Sequence, residues 1–110
     1  MNKYRNKKTI IDGIKFDSIA EGRRYKELKL LKEGNYITEL KLQPKFELQA
    51  KYTNKKGEHI RAITYKADFS YIENGILVVE DVKGVETKEF KLKKKMFEYK
   101  YQNIDFRLIK

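Results

Sequence analysis

The chain has 110 residues, enough for one domain with one modest core. Lysine and arginine number 26 against 16 acidic residues, a net charge of +10, while 40% of residues are hydrophobic. That apolar content argues against wholesale disorder. The absence of cysteine excludes disulfides, thiolate metal sites and cysteine nucleophiles, and the lone histidine, His59, excludes a His-rich metal cluster. Any metal must be held mainly by carboxylate oxygens, the donors that Mg²⁺ and Mn²⁺ prefer. The longest apolar run, Ile76–Val79, is far too short to span a membrane, and no apolar leader follows the basic start. The positive excess favours a polyanion, with nucleic acid ahead of an acidic membrane because no segment is strongly amphipathic with one basic side.

Residues 1–8 read as a flexible basic arm, in which Lys7 and Lys8 are candidate phosphate contacts. Thr9–Ile11 and Ile14–Phe16 flank Asp12-Gly13, the pattern of a two-residue hairpin turn. Ser18 with Glu21 three residues later forms a capping box that opens a helix, which ends at Gly34. At 100° per residue, Ala20, Arg24, Leu28 and Leu31 form its inward stripe, bordered by Glu21. Strands are predicted at Tyr36–Leu42 and Lys45–Tyr52, broken at Gln43-Pro44, then after a polar loop at Ile60–Glu73 and Ile76–Lys83 around Asn74-Gly75. Thr87 caps a second helix to about Tyr101, and Ile104–Leu108 is a last strand. The order predicts an α/β (α+β) layer: helices against a mixed, mostly antiparallel sheet, with an N-terminal hairpin, in a single domain.

The Asn74-Gly75 turn pairs residues whose numbers sum to 149, so Tyr71 faces Val78, Asp68 faces Asp81, and Lys66 lies opposite Lys83. Alternation puts Ala67, Phe69, Tyr71, Val78 and Val82 on one face with Glu80, and the two aspartates and two lysines on the other. Like charges directly opposed destabilise a strand pair. A divalent cation between the carboxylates reverses that sign, and Lys83, on the same side, could orient a water or neutralise phosphate charge. The alternative is an exposed charge lattice in which Lys66 and Lys83 satisfy the aspartates. A one-residue bulge would exchange the roles of Glu80 and Asp81. Glu21 likewise has two readings, a helix cap or an acid that reaches a site on the sheet.

Glu21, Asp68 and Asp81-Val82-Lys83, in this order between two helices and a final strand, resemble the PD-(D/E)XK nuclease superfamily. The longer segments FDSIAEGRRYKELKLL, LQPKFELQ, RAITYKADFSYIENG and VVEDVKG resemble a small phage-borne family of Holliday-junction-resolvase-like endonucleases. The resemblance implies a restriction-endonuclease-like core and a Mg²⁺-dependent endodeoxyribonuclease, with Mn²⁺ as a substitute. By position, Asp68 and Asp81 become metal ligands, the Val82 carbonyl a third contact, Lys83 the catalytic lysine, and Glu21 the helix acid that completes or modulates the metal site. Ala67 stands where the superfamily name has proline. Gln43 is a secondary site candidate by the same resemblance, and Lys66 a secondary candidate from its place beside the acids.

Further implications are branched DNA as partner, a homodimer that makes paired cuts in recombination, no small-molecule cofactor, and action in the host cytoplasm. Phe90, Phe97 and Tyr101 fall on one side of the second helix, and Leu92, Met96 and Tyr99 roughly on the other. Lys88, Lys91 and Lys95 remain for phosphate contacts. The competing readings are a non-catalytic nucleic-acid-binding module and a nuclease for flaps, nicks or duplex DNA.

Overall fold

The computed structural model describes residues 7–110. The N-terminal strands β1 (Thr9–Ile11) and β2 (Ile14–Phe16) form an antiparallel hairpin. Asp12 and Gly13 both take positive φ, as the turn requires. Helix α1 (Ile19–Glu33) starts at Ser18, whose side chain accepts the Glu21 amide at 3.1 Å, and stops at Gly34. Next come β3 (Thr38–Leu42), β4 (Lys45–Gln49), β5 (Tyr52–Thr53), β6 (His59–Ile60), β7 (Ile63–Lys66), β8 (Phe69–Glu73), β9 (Ile76–Val82), α2 (Lys88–Lys100) and β10 (Asp105–Ile109). The fold is mixed α+β.

The central sheet has the order β10-β9-β8-β3; β9 and β10 run parallel and the other pairs antiparallel. A parallel neighbour needs a crossover, and α2 supplies it. The β8–β9 register follows the Asn74-Gly75 turn, pairing Glu73 with Ile76, Tyr71 with Val78 and Phe69 with Glu80. Alternation then divides the core by the two faces of the sheet. Phe69, Tyr71 and Val78 pack with Tyr25 and Leu28 of α1. On the other face Val79 packs with Phe90 and Phe97 of α2, together with Tyr65 and Ala67.

Three sequence expectations are corrected. The predicted strand Ile60–Glu73 is three strands, because β7 leaves the sheet to pair with β4 and the chain bends at Ala67–Asp68. Ala67 therefore packs on the α2 side, not beside Phe69. Lys66 lies opposite Lys45, not Lys83. The inward stripe of α1 is Glu21, Gly22, Tyr25 and Leu28, while Ala20 is exposed. The helix is turned because it packs on the N-terminal hairpin as well as the sheet: a Cβ on Gly22 would come within 2.8 Å of both Ile11 and Thr9 side chains. Along α2, Phe90 and Phe97 are buried, Leu92 and Tyr99 are exposed, and Met96 packs partly against the core instead of facing out with them.

Candidate active site

The bend at Ala67–Asp68 makes the site. One residue past the last regular pair of β8 and β9, the ladder hydrogen bonds are irregular: the Asp68 amide donates to the Glu80 carbonyl at 3.1 Å. The Asp68 side chain then takes the place of a backbone acceptor, its Oδ2 receiving the Val82 amide at 2.7 Å. Within a strand, the N–H and C=O of one residue point the same way. The neighbouring Lys83 amide donates to Ile109 on β10, so Val82 presents its backbone polar groups to the Asp68 side. Gln43, held at a φ of +50° just before Pro44, donates its amide to the Asp68 carbonyl at 2.9 Å. An extended conformation is the usual one before proline. Gln43 thus fixes the Asp68 backbone, while its own side chain faces solvent.

The acidic pair is brought together. The Asp68 carboxyl is pushed up to about 8, first by burial and then by the neighbouring Asp81 charge, which lies within hydrogen-bonding reach; the Val82 amide opposes the rise. Asp81 is 2% exposed. Its Oδ2 accepts the Tyr65 hydroxyl. Its Oδ1 is buried without a hydrogen bond, and the Lys83 ammonium forms an ion pair with it at 3.4 Å. Lys83 also lies over the Phe90 ring, 5.0 Å from its centroid, so the ammonium is held between carboxylate and aromatic face. Burial and the Asp81 hydrogen bond hold the Tyr65 hydroxyl well above the ordinary tyrosine value.

Glu21 approaches from the first turn of α1. It is buried, and burial raises its carboxyl, followed by the charge of Asp17; the Asp17 amide, Asp81 and Lys83 contribute smaller effects of both signs. Glu21 thus both reaches back toward the start of its helix and feels the Asp81–Lys83 pair. Among the described residues no three His, Cys, Asp or Glu side chains gather as a metal-holding group, while Glu21 lies near enough for its charge and those of Asp68 and Asp81 to act on one another. The donors that do converge, two carboxylates beside the Val82 backbone, fit a hard cation, since Mg²⁺ typically takes one or two carboxylates. An Asp81 Oδ1 that accepts no hydrogen bond and a raised Asp68 carboxyl both suit an acidic pair that binds a cation.

Glu80, adjacent to the pair, lies on the α1 face. It is fully buried, receives Arg24 Nε at 2.8 Å and Nη2 at 2.6 Å, and accepts the Tyr71 hydroxyl. Arg24 and Tyr65 are the contributors that sequence reasoning missed. Arg24 follows Glu21 by one turn, and a buried cation opposite the one acid on an apolar strand face was its available signal. Tyr65 gave none, because its position depends on the bend.

Lys66 is exposed and lies two residues from Asp68 along the chain; no ion pair joins it to either aspartate. Lys7, Lys8, Lys88, Lys91 and Lys95 are all exposed. Residues 1–6 of the basic arm lie outside the described residues. A groove of about 320 Å³ between β3, β4 and the turn end of β8 and β9, lined by Lys41, Lys45, Ser70 and Leu77, contains none of the four site residues. Among the described residues no helix is long and apolar enough to cross a membrane.

Fold and site define a mixed α+β domain whose central sheet splays to join two aspartates and a lysine between its helices. The chain belongs to the family described as "Protein of unknown function (DUF1064)", whose model matches residues 1–110. No curated protein and no solved structure matches it.

Proposed function

We propose that the chain is a metal-dependent DNA endonuclease that hydrolyses phosphodiester bonds, acting on branched DNA such as a four-way junction as a homodimer. The observation that carries the reading is the juxtaposition of Asp68 and Asp81 with Lys83 at the point where β8 and β9 part. Setting the buried Asp81 carboxylate beside the half-buried Asp68 opposes folding through repulsion and desolvation, so stability alone does not account for the pair. The element order α1, β3, β8, β9, α2, β10 supports the same reading, since PD-(D/E)XK nucleases arrange a helix acid, an acid-bearing hairpin, a second helix and a further strand in this sequence.

Asp68 and Asp81 are the residues that would hold Mg²⁺ or Mn²⁺, with the Val82 carbonyl beside them. The chemistry such an ion supplies is polarisation of the phosphoryl oxygen and a lower pKa for bound water. Asp81 holds the Lys83 ammonium near the acids, where its positive charge stabilises the charge that builds on phosphate or orients the attacking water. Tyr65 fixes the Asp81 carboxylate by occupying Oδ2, leaving Oδ1 for other partners. Glu21 adds negative potential from α1 and modulates the site. The net charge of +10 suits a phosphate backbone, and paired cuts in opposed strands call for a two-fold dimer.

The test is cleavage of labelled four-way junction, flap and duplex DNA with and without Mg²⁺ or Mn²⁺, with Asp81→Asn as the control. Paired, metal-dependent nicks on the junction alone, lost in the variant, are expected. Equal cutting of flaps or duplex would keep the nuclease and remove the junction. Tight binding without cutting under either metal would leave a binding module.

A further inference from the structure

Strands β4 to β7 are one long hairpin. The pairs Lys45–Lys66, Glu47–Thr64, Gln49–Ile63, Tyr52–Ile60 and Thr53–His59 run outward in order, with one shift of register between Glu47 and Gln49. At ~3.3 Å per residue the ribbon reaches roughly 30 Å from Lys45 to the tip. Its root is anchored: Phe46 stacks edge-on against Phe97 at 4.9 Å, and Tyr65 against Phe97 at 5.5 Å. Its distal half is not. From Gln49 to His59 every residue is exposed except Asn54, which is half-buried. The described chain is correspondingly long and flat, 53 × 42 × 23 Å.

A two-stranded ribbon projecting into water is marginal by itself. This one is nevertheless built. Asn54 Oδ1 accepts the amides of Lys56 and Glu58, each at 3.0 Å, and Asn54 Nδ2 donates to the Glu58 carboxylate at 3.0 Å. The tip therefore presents Lys55 and Lys56 on an ordered turn. Six cations, Lys45, Lys51, Lys55, Lys56, Arg61 and Lys66, stand on the ribbon against Glu47 and Glu58. Among the described residues none of Lys51, Lys55, Lys56 and Arg61 enters an ion pair. At the root, Lys45 opposes Lys66 directly. The neighbouring pair carries the ladder hydrogen bond from the Ala67 amide to the Pro44 carbonyl, so the two lysines occupy a close, non-hydrogen-bonded pair. Opposed like charges there cost stability unless an anion comes between them.

We propose that the hairpin Lys45–Lys66 is a DNA-binding arm whose distal half lies in the major groove of a duplex about one helical turn from Asp68 and Asp81. Charge selects a polyanion. Shape selects the groove, since a two-stranded ribbon fits the ~12 Å major groove of B-form DNA and not the ~6 Å minor groove. The deep, narrow major groove of duplex RNA excludes it. Length sets the position, because a reach of roughly 30 Å from a root two residues before Asp68 is close to the ~34 Å turn of DNA. Tyr52, 50% exposed near the tip, adds an aromatic face beside the lysines. The inference rests on reading the acid site as one that acts on DNA, but it concerns binding and needs no metal.

The experiment uses the whole chain in EDTA with a duplex-armed junction. Affinity is measured by fluorescence anisotropy across a salt series, and contacts by hydroxyl-radical footprinting and guanine-N7 methylation protection. The wild type, Lys55→Ala/Lys56→Ala, and the control Lys26→Ala/Lys32→Ala on the exposed side of α1 are compared. The wild type is expected to protect two blocks about one turn apart. The tip variant should lose the distal block and its guanine-N7 protection while keeping the proximal one, and its log–log salt slope should flatten by about 2. Unchanged thermal unfolding of the variant confirms that only the arm was altered. An unchanged slope and footprint, an equal effect of the control, or a distal block without guanine-N7 protection each overturns the arm. If the wild type shows the two blocks yet never cuts with Mg²⁺ or Mn²⁺, the arm stands and the nuclease reading fails.

Discussion

The Asp68 carboxylate accepts the Val82 amide at 2.7 Å, closing a strand ladder with a side chain where a backbone carbonyl would serve. This bond turns a break in the sheet into a site: it holds Asp68 against Asp81 and aligns the Val82 peptide with both. Both acids therefore depend on the same few atoms for their position.

Above about pH 8, where both acids carry charge, removing their repulsion should stabilise the metal-free protein. Asp81→Asn keeps an oxygen for the Tyr65 hydroxyl and removes the charge beside Asp68. In EDTA its Tm should equal or exceed that of the wild type. Mg²⁺ is expected to raise the Tm of the wild type and not of the variant, and DNA cleavage should fall by a factor of about 10² or more. Differential scanning fluorimetry and a nicking assay on the same preparations check both arms.

The metal-free stability should fall as pH rises. The folded Asp68 carboxyl titrates at about 8, above its unfolded value, so the native state binds more protons than the unfolded chain between the two. Its stabilising contribution is complete below the ordinary carboxylate range and is lost as pH climbs through about 8. Urea unfolding in EDTA between pH 5 and pH 9 should show this decline, and Asp68→Asn should flatten it.

If the proposed reaction is right, Lys83 should act on the chemical step more than on binding. Lys83→Met removes the ammonium between Asp81 and Phe90 but keeps the stem. Single-turnover cleavage should slow by a factor of about 10² while metal-free DNA affinity changes less than twofold. A matched loss of affinity would instead make Lys83 an ordinary phosphate contact.

Tyr65→Phe should cost about 1–3 kcal/mol of stability, because it leaves Asp81 Oδ2 buried without its donor. Activity should fall as well, since the Asp81 carboxylate is then free to rotate toward Lys83. Chemical denaturation and the nicking assay separate the two effects.

Arg24→Met should cost about 3–5 kcal/mol, since it strands the Glu80 carboxylate in the core. The double variant Arg24→Met/Glu80→Leu should recover most of that loss. Recovery of stability without recovery of cleavage would show that the pair also sets the distance between Glu21, one turn before Arg24, and Asp81, next to Glu80.

Local chemistry carried much of this protein in its sequence. Asp12-Gly13 and Asn74-Gly75 specify hairpins because two successive residues must take positive φ, and the second turn fixes the β8–β9 register up to Phe69–Glu80. Ser18 and Thr87 mark both helix starts because a side-chain oxygen there satisfies a free amide. From these alone, Asp68 and Asp81 fall just beyond the last regular pair and Lys83 follows. Tertiary packing decided the rest. The bend at Ala67–Asp68 has no turn residue to announce it; it arises because Tyr65 and Ala67 pack under α2 while Phe69 packs under α1. Only that change of face brings Tyr65 to Asp81, sends Lys66 to Lys45 and projects the arm. The rotation of α1 that buries Glu21 and exposes Ala20 likewise comes from packing on the N-terminal hairpin, a contact between segments that no helical period encodes.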